Sequence, residues 1–167
     1  MAWLLRLTGV VLAALLLAGC TFPFAAPNTD HRSPMSTAAP KQIDERGLRT
    51  DPEPLLRRFP GLGQPASVRW MSGTTGTSGI GPSTYWIDAV AELSPDALAA
   101  LKPLATGDRP LPSGLVDGIA TAVPAGRTLG SDALDARLVQ GATQAGWGVK
   151  AVLIEGTSTL VLAGLGE

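Results

Sequence analysis

The sequence predicts an α+β domain: a small antiparallel sheet of about four strands with two helices packed on one face, preceded by a disordered tether. Three observations support this class. Apolar and polar residues alternate over residues 84–93, as in a strand with one buried face. Two serines, Ser94 and Ser131, each precede a stretch with helical spacing of leucines. Two aliphatic runs, 149–155 and 159–163, are separated by a short polar link, which indicates a hairpin.

The first two strands are predicted at residues 67–71 and 84–93, joined by a glycine-rich loop. In the second strand, alternation separates two sets of side chains. Ile87, Ala89, Ala91 and Leu93 point to one face, and Trp86, Asp88, Val90 and Glu92 point to the other. We expect the first set to face the core and the carboxylates of the second set to face solvent.

Two helices are predicted from residues that favour the start of a helix. The Ser94 hydroxyl can accept a hydrogen bond from a free amide, proline suits the next position, and Lys102-Pro103 ends the helix. Ser131 begins a second amphipathic helix that closes near Gly146. Residues 105–130 remain open, since 114–123 fits either a helical turn or a weak strand. The final hairpin is apolar on both faces, so its strands are expected mid-sheet or under the helices.

Residues 20–65 are predicted to be the tether and residues 66–167 the domain. The stretch 21–64 holds seven of the 14 prolines and few large aliphatic residues apart from Leu55-Leu56, which is typical of disordered chain. Within it, residues 51–59 could form one helical turn that docks either on the domain or on a partner. Arg57-Arg58 is the only adjacent arginine pair, and it fits either a solvated pair or contact with anionic lipid head groups.

The N-terminus carries a charged start, an apolar run over residues 7–17, and then Leu17-Ala18-Gly19-Cys20. This pattern resembles the lipobox of bacterial lipoproteins. The resemblance implies a signal peptide over 1–19, with Leu17, Ala18 and Gly19 recognised by the signal peptidase. It also implies diacylglyceryl and fatty acyl (palmitate) groups on Cys20, and a lipid anchor on the extracytoplasmic face of the cell membrane. The alternative is an uncleaved N-terminal membrane helix, although the run is shorter than the ~20 residues that a spanning helix needs.

Composition excludes several kinds of site. Lipidation would use the one cysteine, and the one histidine, His31, lies in the tether, so no Ser-His-Asp triad or histidine zinc site fits in the domain. Thirteen basic and 14 acidic residues include no large basic cluster, so no nucleic acid is expected. Asp88 and Glu92 lie about 13 Å apart along a strand. Glycoside hydrolysis needs about 5–9.5 Å between its two carboxylates, so this pair is too far apart for that reaction.

Residues 75–81 look like the phosphate loop of short-chain dehydrogenases, but they have one residue too few between the first two glycines. Pro82 also prevents the helix whose N-terminus should hold the pyrophosphate. We therefore expect no nucleotide and no other cofactor.

Two tryptophans are the remaining candidates for a binding surface. If Trp70 pairs across from Trp86, the two rings form an exposed stacking platform for a sugar or a partner; the alternative is that both pack in the core.

The sequence thus predicts a non-enzymatic interaction or binding module of the cell envelope, held at the membrane by lipid and binding an envelope protein or a small ligand. One alternative is a binder of a small apolar ligand or lipid, and another is a carboxylate-dependent hydrolase.

Overall fold

The computed structural model of the chain describes residues 40–76 and 84–166. Seven strands lie in these ranges: β1 Lys41–Ile43, β2 Pro65–Thr75, β3 Thr84–Leu93, β4 Gly107–Asp108, β5 Thr128–Gly130, β6 Gly148–Ile154 and β7 Thr159–Gly166. Four helices accompany them: α1 Glu53–Arg58, α2 Pro95–Leu101, α3 Asp117–Ala120 and α4 Asp132–Val139. The strands form one antiparallel sheet in the order β1-β2-β3-β7-β6-β5-β4.

The prediction of about four strands with two helices on one face is wrong. The sheet has seven strands, and short helices cover both of its faces. The missed strands β1, β4 and β5 have only two or three residues each, which is too short for an alternating pattern to show. They form where the chain meets an existing strand: β1 pairs with the end of β2, and β5 pairs with the end of β6.

The long strands of the sheet lie where periodicity predicted strands. β3 spans the predicted residues, and β7 runs between β3 and β6 at the centre of the sheet. The final hairpin strands therefore lie within the sheet, and most of their apolar residues on both faces are buried.

Alternate residues of the central strands enter two separate cores. On the first face, Trp70, Ala89 and Leu162 pack with residues of α2 and α4. On the second face, alternate strand residues pack against Ile119 of α3. These strand residues are Met71, Trp86, Val90, Val152, Ile154 and Val161. Burial on both faces explains why the sheet needs helices on each side.

The expectation that the tether extends to residue 65 does not fit the structure of residues 40–65. Leu55, Phe59 and Leu62 are fully buried in the first-face core. The interpretation in which residues 51–59 form a helical turn that docks on the domain is confirmed by α1. Proline content led to a wrong prediction of the boundary between tether and domain. Pro52 and Pro60 stand at the starts of a helix and a 3-10 turn, where proline is compatible with ordered structure. Residues 20–39 lie outside the described part of the chain.

Both predicted helix starts are confirmed. The Ser94 hydroxyl accepts from the Ala97 amide at 3.4 Å, and the Ser131 hydroxyl accepts from the Leu134 amide at 3.1 Å. The second of these helices, α4, ends at Val139, earlier than the predicted end near Gly146. The open segment 105–130 forms β4, α3 and β5, and its α3 covers the second face.

Candidate functional site

A cleft of about 660 Å³ lies at one end of β2 and β3. Its floor includes Ser72 and Ile87, which are cross-strand partners on the first face of the sheet. Three other segments supply its walls: residues 44–49 after β1, the C-terminal end of α1, and residues 144–147 before β6. Residues far apart in the chain thus converge on one concave surface, as binding sites commonly require.

The charge of this cleft is strongly one-sided. Four arginines line it, Arg46, Arg49, Arg57 and Arg58, whereas Asp44 is its one carboxylate. We call this surface the arginine cleft. The chain as a whole has a net charge of −1, so the local excess of positive charge is a property of how the chain folds.

Asp44 and Arg49 form a neutral pair at one wall. An Nη of Arg49 donates to the Asp44 carboxylate at 3.2 Å, and the Ser72 hydroxyl donates to the same carboxylate at 2.6 Å. The guanidinium carbon of Arg49 lies 3.5 Å from the centre of the Trp70 ring, so the group packs over the face of the indole. Burial raises the pKa of Asp44, but the bonds from Ser72 and the Arg46 amide and the charges of Arg49 and Arg46 outweigh it. The pKa of Asp44 therefore lies below its ordinary value.

Arg58 differs from Arg49 because no carboxylate of the described residues pairs with it. One Nη donates to the Pro54 carbonyl at 3.0 Å, and the guanidinium carbon lies 5.5 Å from the centre of the Trp147 ring. The Nε of Arg58 is buried and donates to no described residue, and the same is true of the Nε of Arg49. Burial first, and then the charges of Arg57 and Arg49, lower the pKa of Arg58.

The other two arginines are more exposed. The side chain of Arg57 lies 3.4 Å from Glu53, but both groups are well exposed, so water screens the pair. The guanidinium of Arg46 makes no ion pair within residues 40–76 and 84–166. Most of the donors of these two guanidiniums have no acceptor among the described residues.

The aromatic wall depends on glycine. A Cβ at Gly166 would lie 2.6 Å from Trp147, and one at Gly164 would lie 2.6 Å from Phe59 and 3.4 Å from Trp147. The indole of Trp147 therefore packs directly on the backbone of β7, and Phe59 meets it edge-on at 5.8 Å. Tyr85, on the floor, has about half of its surface exposed. The cleft thus combines a cationic rim with aromatic surface.

Binding is the chemistry this arrangement supports. Guanidinium groups are permanently charged and present donors in a planar fork that fits carboxylate and phosphate oxygens. The one lining carboxylate is already engaged by Arg49 and Ser72. Among the described residues, no group of three or more His, Cys, Asp or Glu side chains converges as a metal site would require.

The structure places Trp70 and Trp86 in the core, with 1% and 0% of their surfaces exposed. They lie on opposite faces of the sheet, so they do not form one platform. Their indole nitrogens donate to the backbone carbonyls of Asp51 and Thr74. Both residues border the arginine cleft, with most of their surfaces covered by other parts of the chain.

Asp88 and Glu92, expected to face solvent, have partners instead. Asp88 is fully buried, where it accepts from the Lys41 ammonium and the Val116 amide. Glu92 accepts from the hydroxyls of Ser158 and Thr159 at 2.9 and 2.8 Å. Both carboxylates therefore have structural roles in joining strands and loops.

The proposed lipidation residue Cys20 and the peptidase-recognition residues Leu17, Ala18 and Gly19 lie outside the described residues, as does His31. The anchor therefore stays a prediction. In the part of the chain that the structure describes, no helix has the length and apolar character to cross a bilayer.

Sequence reasoning missed two of the four arginines of the cleft, Arg46 and Arg49, since it singled out only the adjacent pair Arg57-Arg58. The available signal was density, because Arg46, Arg49, Arg57 and Arg58 lie in one short stretch that was assigned to the tether. Comparison with known proteins gives no assignment: no family model, curated protein or solved structure matches this chain.

Proposed function

We propose that this chain is a lipid-anchored envelope protein whose folded part is a non-enzymatic binding module, with the arginine cleft as the site for an anionic ligand. The observation that carries the binding proposal is the charge of the cleft. Four guanidiniums line it against one carboxylate, and that carboxylate is already paired with Arg49.

Crowded positive charge favours an incoming anion. Arg58 is partly buried, its Nε lacks an acceptor among the described residues, and the charges of Arg57 and Arg49 act on it. An anion in the cleft would relieve repulsion among these groups, and the exposed guanidiniums of Arg46 and Arg57 would donate to it. Charge-assisted hydrogen bonds of this kind each contribute about 1.5–3 kcal/mol.

The cleft favours an anionic ligand over the small apolar ligand of the alternative hypothesis. The space between the sheet and its helices is filled by fully buried side chains such as Leu134, Leu138 and Ile119. The concave surface on the first face is lined by charged as well as aromatic groups. A lipid remains compatible with the cleft through an anionic head group.

The cleft is tested by titrating the full mature chain in detergent with inorganic pyrophosphate, using isothermal calorimetry. Arg58→Gln should weaken binding by about ten-fold or more, because one charge-assisted contact is lost. Arg69→Gln is the matched control, since Arg69 is exposed, lies outside the cleft and changes the net charge equally. Absence of saturable binding by the wild type, or an equal loss in both variants, would refute the cleft as an anion site.

The anchor is tested separately through Cys20→Ser. We expect this variant to remain unprocessed and to incorporate no radioactive fatty acid in cells, because the lipid is attached through the cysteine sulfur. Ser78→Ala is a control that leaves the Leu17-Ala18-Gly19-Cys20 motif intact and should be labelled as the wild type is. Equal labelling of the Cys20→Ser variant would show that the anchor assignment is wrong.

A further inference from the structure

We infer that the ligand of the arginine cleft is a phosphorylated sugar or polyol, whose phosphate binds the arginines and whose ring packs on Tyr85. This inference rests on the proposed function, since it names the class of ligand for the same site. It draws on three features of the cleft: the number of free positive charges, their placement on different segments, and the exposed aromatic surface beside them.

The number of charges favours phosphate over carboxylate. With Arg49 paired to Asp44, the guanidiniums of Arg46, Arg57 and Arg58 remain, and the pair between Arg57 and Glu53 is exposed. A carboxylate carries one negative charge, whereas a phosphate monoester carries about −1.5 to −2 near pH 7 and has three acceptor oxygens. A dianion therefore balances the cleft better than a single carboxylate does.

The placement of the charges points the same way. Arg46 lies on the segment that follows β1, and Arg57 and Arg58 lie at the end of α1, so the donors come from two separate walls. A planar carboxylate is suited to one fork at a time. The tetrahedral oxygens of a phosphate can accept from several directions, which suits donors on more than one wall.

The aromatic surface supplies a place for a ring. Tyr85 has 51% of its surface exposed although it is large and lies on the floor of the cleft. Nearby, the exposed Gln144 offers polar groups. A sugar or polyol ring presents C–H groups to an aromatic face and hydroxyls to polar neighbours, so it matches this mixture. The cleft volume of about 660 Å³ accommodates a single ring with its phosphate.

The test compares two soluble probes, inorganic phosphate and glucose 1-phosphate, on the full mature chain in detergent. We expect glucose 1-phosphate to bind about ten-fold more tightly, an advantage comparable to one good aromatic contact. Tyr85→Ala should remove this advantage while leaving the affinity for inorganic phosphate within about two-fold. Leu165→Ala is the matched control, because Leu165 is equally exposed at 52% but lies outside the cleft.

Equal affinity for the two probes, or an advantage that survives in Tyr85→Ala, would overturn the inference while leaving anion binding intact. If pyrophosphate and inorganic phosphate both fail to bind the wild type, the proposed function itself fails.

A second arm identifies where the phosphorylated ring comes from. The lipidated protein in phosphatidylcholine vesicles is titrated with glucose 1-phosphate, with and without phosphatidylinositol 4-phosphate in the same vesicles. If phosphatidylinositol 4-phosphate competes with glucose 1-phosphate, and Arg58→Gln abolishes this competition, the ligand is a lipid head group. If this lipid leaves the binding of glucose 1-phosphate unchanged, the ligand is a soluble or polymer-attached sugar phosphate. Failure of glucose 1-phosphate to bind in vesicles of either composition contradicts the inference.

Discussion

Lys41 and Asp88 lie 47 residues apart in the chain, and their side chains form an ion pair of 2.6 Å in which the carboxylate is fully buried. The same ammonium donates to the Gly114 carbonyl and lies 4.7 Å from the centre of the Trp86 ring. Asp88 also accepts from the Val116 amide at 2.9 Å. One lysine therefore ties β1 to the centre of the sheet and to the segment that covers the second face.

Replacement of this lysine should destabilise the fold strongly. In Lys41→Met, Asp88 would remain buried with the Val116 amide as its remaining partner, and an uncompensated buried charge costs about 3 kcal/mol or more. Urea denaturation of the two proteins measures the free energy of unfolding. Lys150→Met is the control. The side chain of Lys150 is 64% exposed although it forms ion pairs, so its replacement should change the free energy of unfolding by less than about 1 kcal/mol. Similar small losses in both variants would contradict the role of Lys41.

The segment before residue 66 should contribute to stability as a core element. Phe59→Ala removes a fully buried ring that contacts Trp147, so we expect a loss of about 3–5 kcal/mol in the free energy of unfolding. Leu48→Ala, in the same part of the chain but at a 43% exposed position, should cost far less. If Phe59→Ala unfolds at the same urea concentration as the wild type, the segment is not part of the core.

Sequence patterns identified the elements whose own residues carry enough signal. The ten residues of β3 alternate, and Ser94 and Ser131 act through hydrogen bonds to nearby amides, so both features are local. β1 and β4 carry no such signal, because their pairing depends on strands that are distant in sequence. Burial of Leu55 and Phe59 likewise depends on the first face of the sheet, which local composition does not describe.

Glycines of β7 should be intolerant of even one added carbon. In Gly164→Ala, the new Cβ would lie 2.6 Å from the Phe59 ring, so the aromatic wall of the cleft must shift, and overpacking of this kind costs about 1–3 kcal/mol. Gly148→Ala is the matched control, since its new Cβ would lie 3.9 Å from the nearest atom. Thermal unfolding of the two variants makes the comparison. A smaller loss in Gly164→Ala than in the control would show that Phe59 and Trp147 do not pack as described.

Acid should weaken the fold in part through Asp44. Its pKa is lower in the folded protein than the value of about 3.9 expected in the unfolded chain. The stabilisation from this carboxylate is therefore complete above about pH 4 and is lost as the pH falls through the folded-state pKa. Asp44→Asn should be less stable than the wild type near neutrality, and the difference should shrink below about pH 4. Urea denaturation at several pH values measures it, and a difference that does not change with pH would contradict the assignment.

The candidate site was harder to predict than the fold because its residues act together only in space. Arg57-Arg58 was visible as a pair, but the sequence offered no reason to bring Arg46 and Tyr85 beside it. Trp70 and Trp86 were conspicuous by type, yet their rings fill the two cores. Asp88 appeared to lie on a polar face, and its partner Lys41 came from the segment assigned to the tether.

The short strands at the borders of the sheet leave little edge on which a strand of another molecule could pair. One border is β1 with three residues, and the other is β4 with two. Long, flat borders recruit strands from other molecules and seed fibrils, whereas brief borders that carry inward-pointing lysines resist such recruitment. With Lys41 turned toward the sheet interior, β1 has this protective form. Molecules crowded together at high local concentration would thus gain little by stacking their sheets edge to edge.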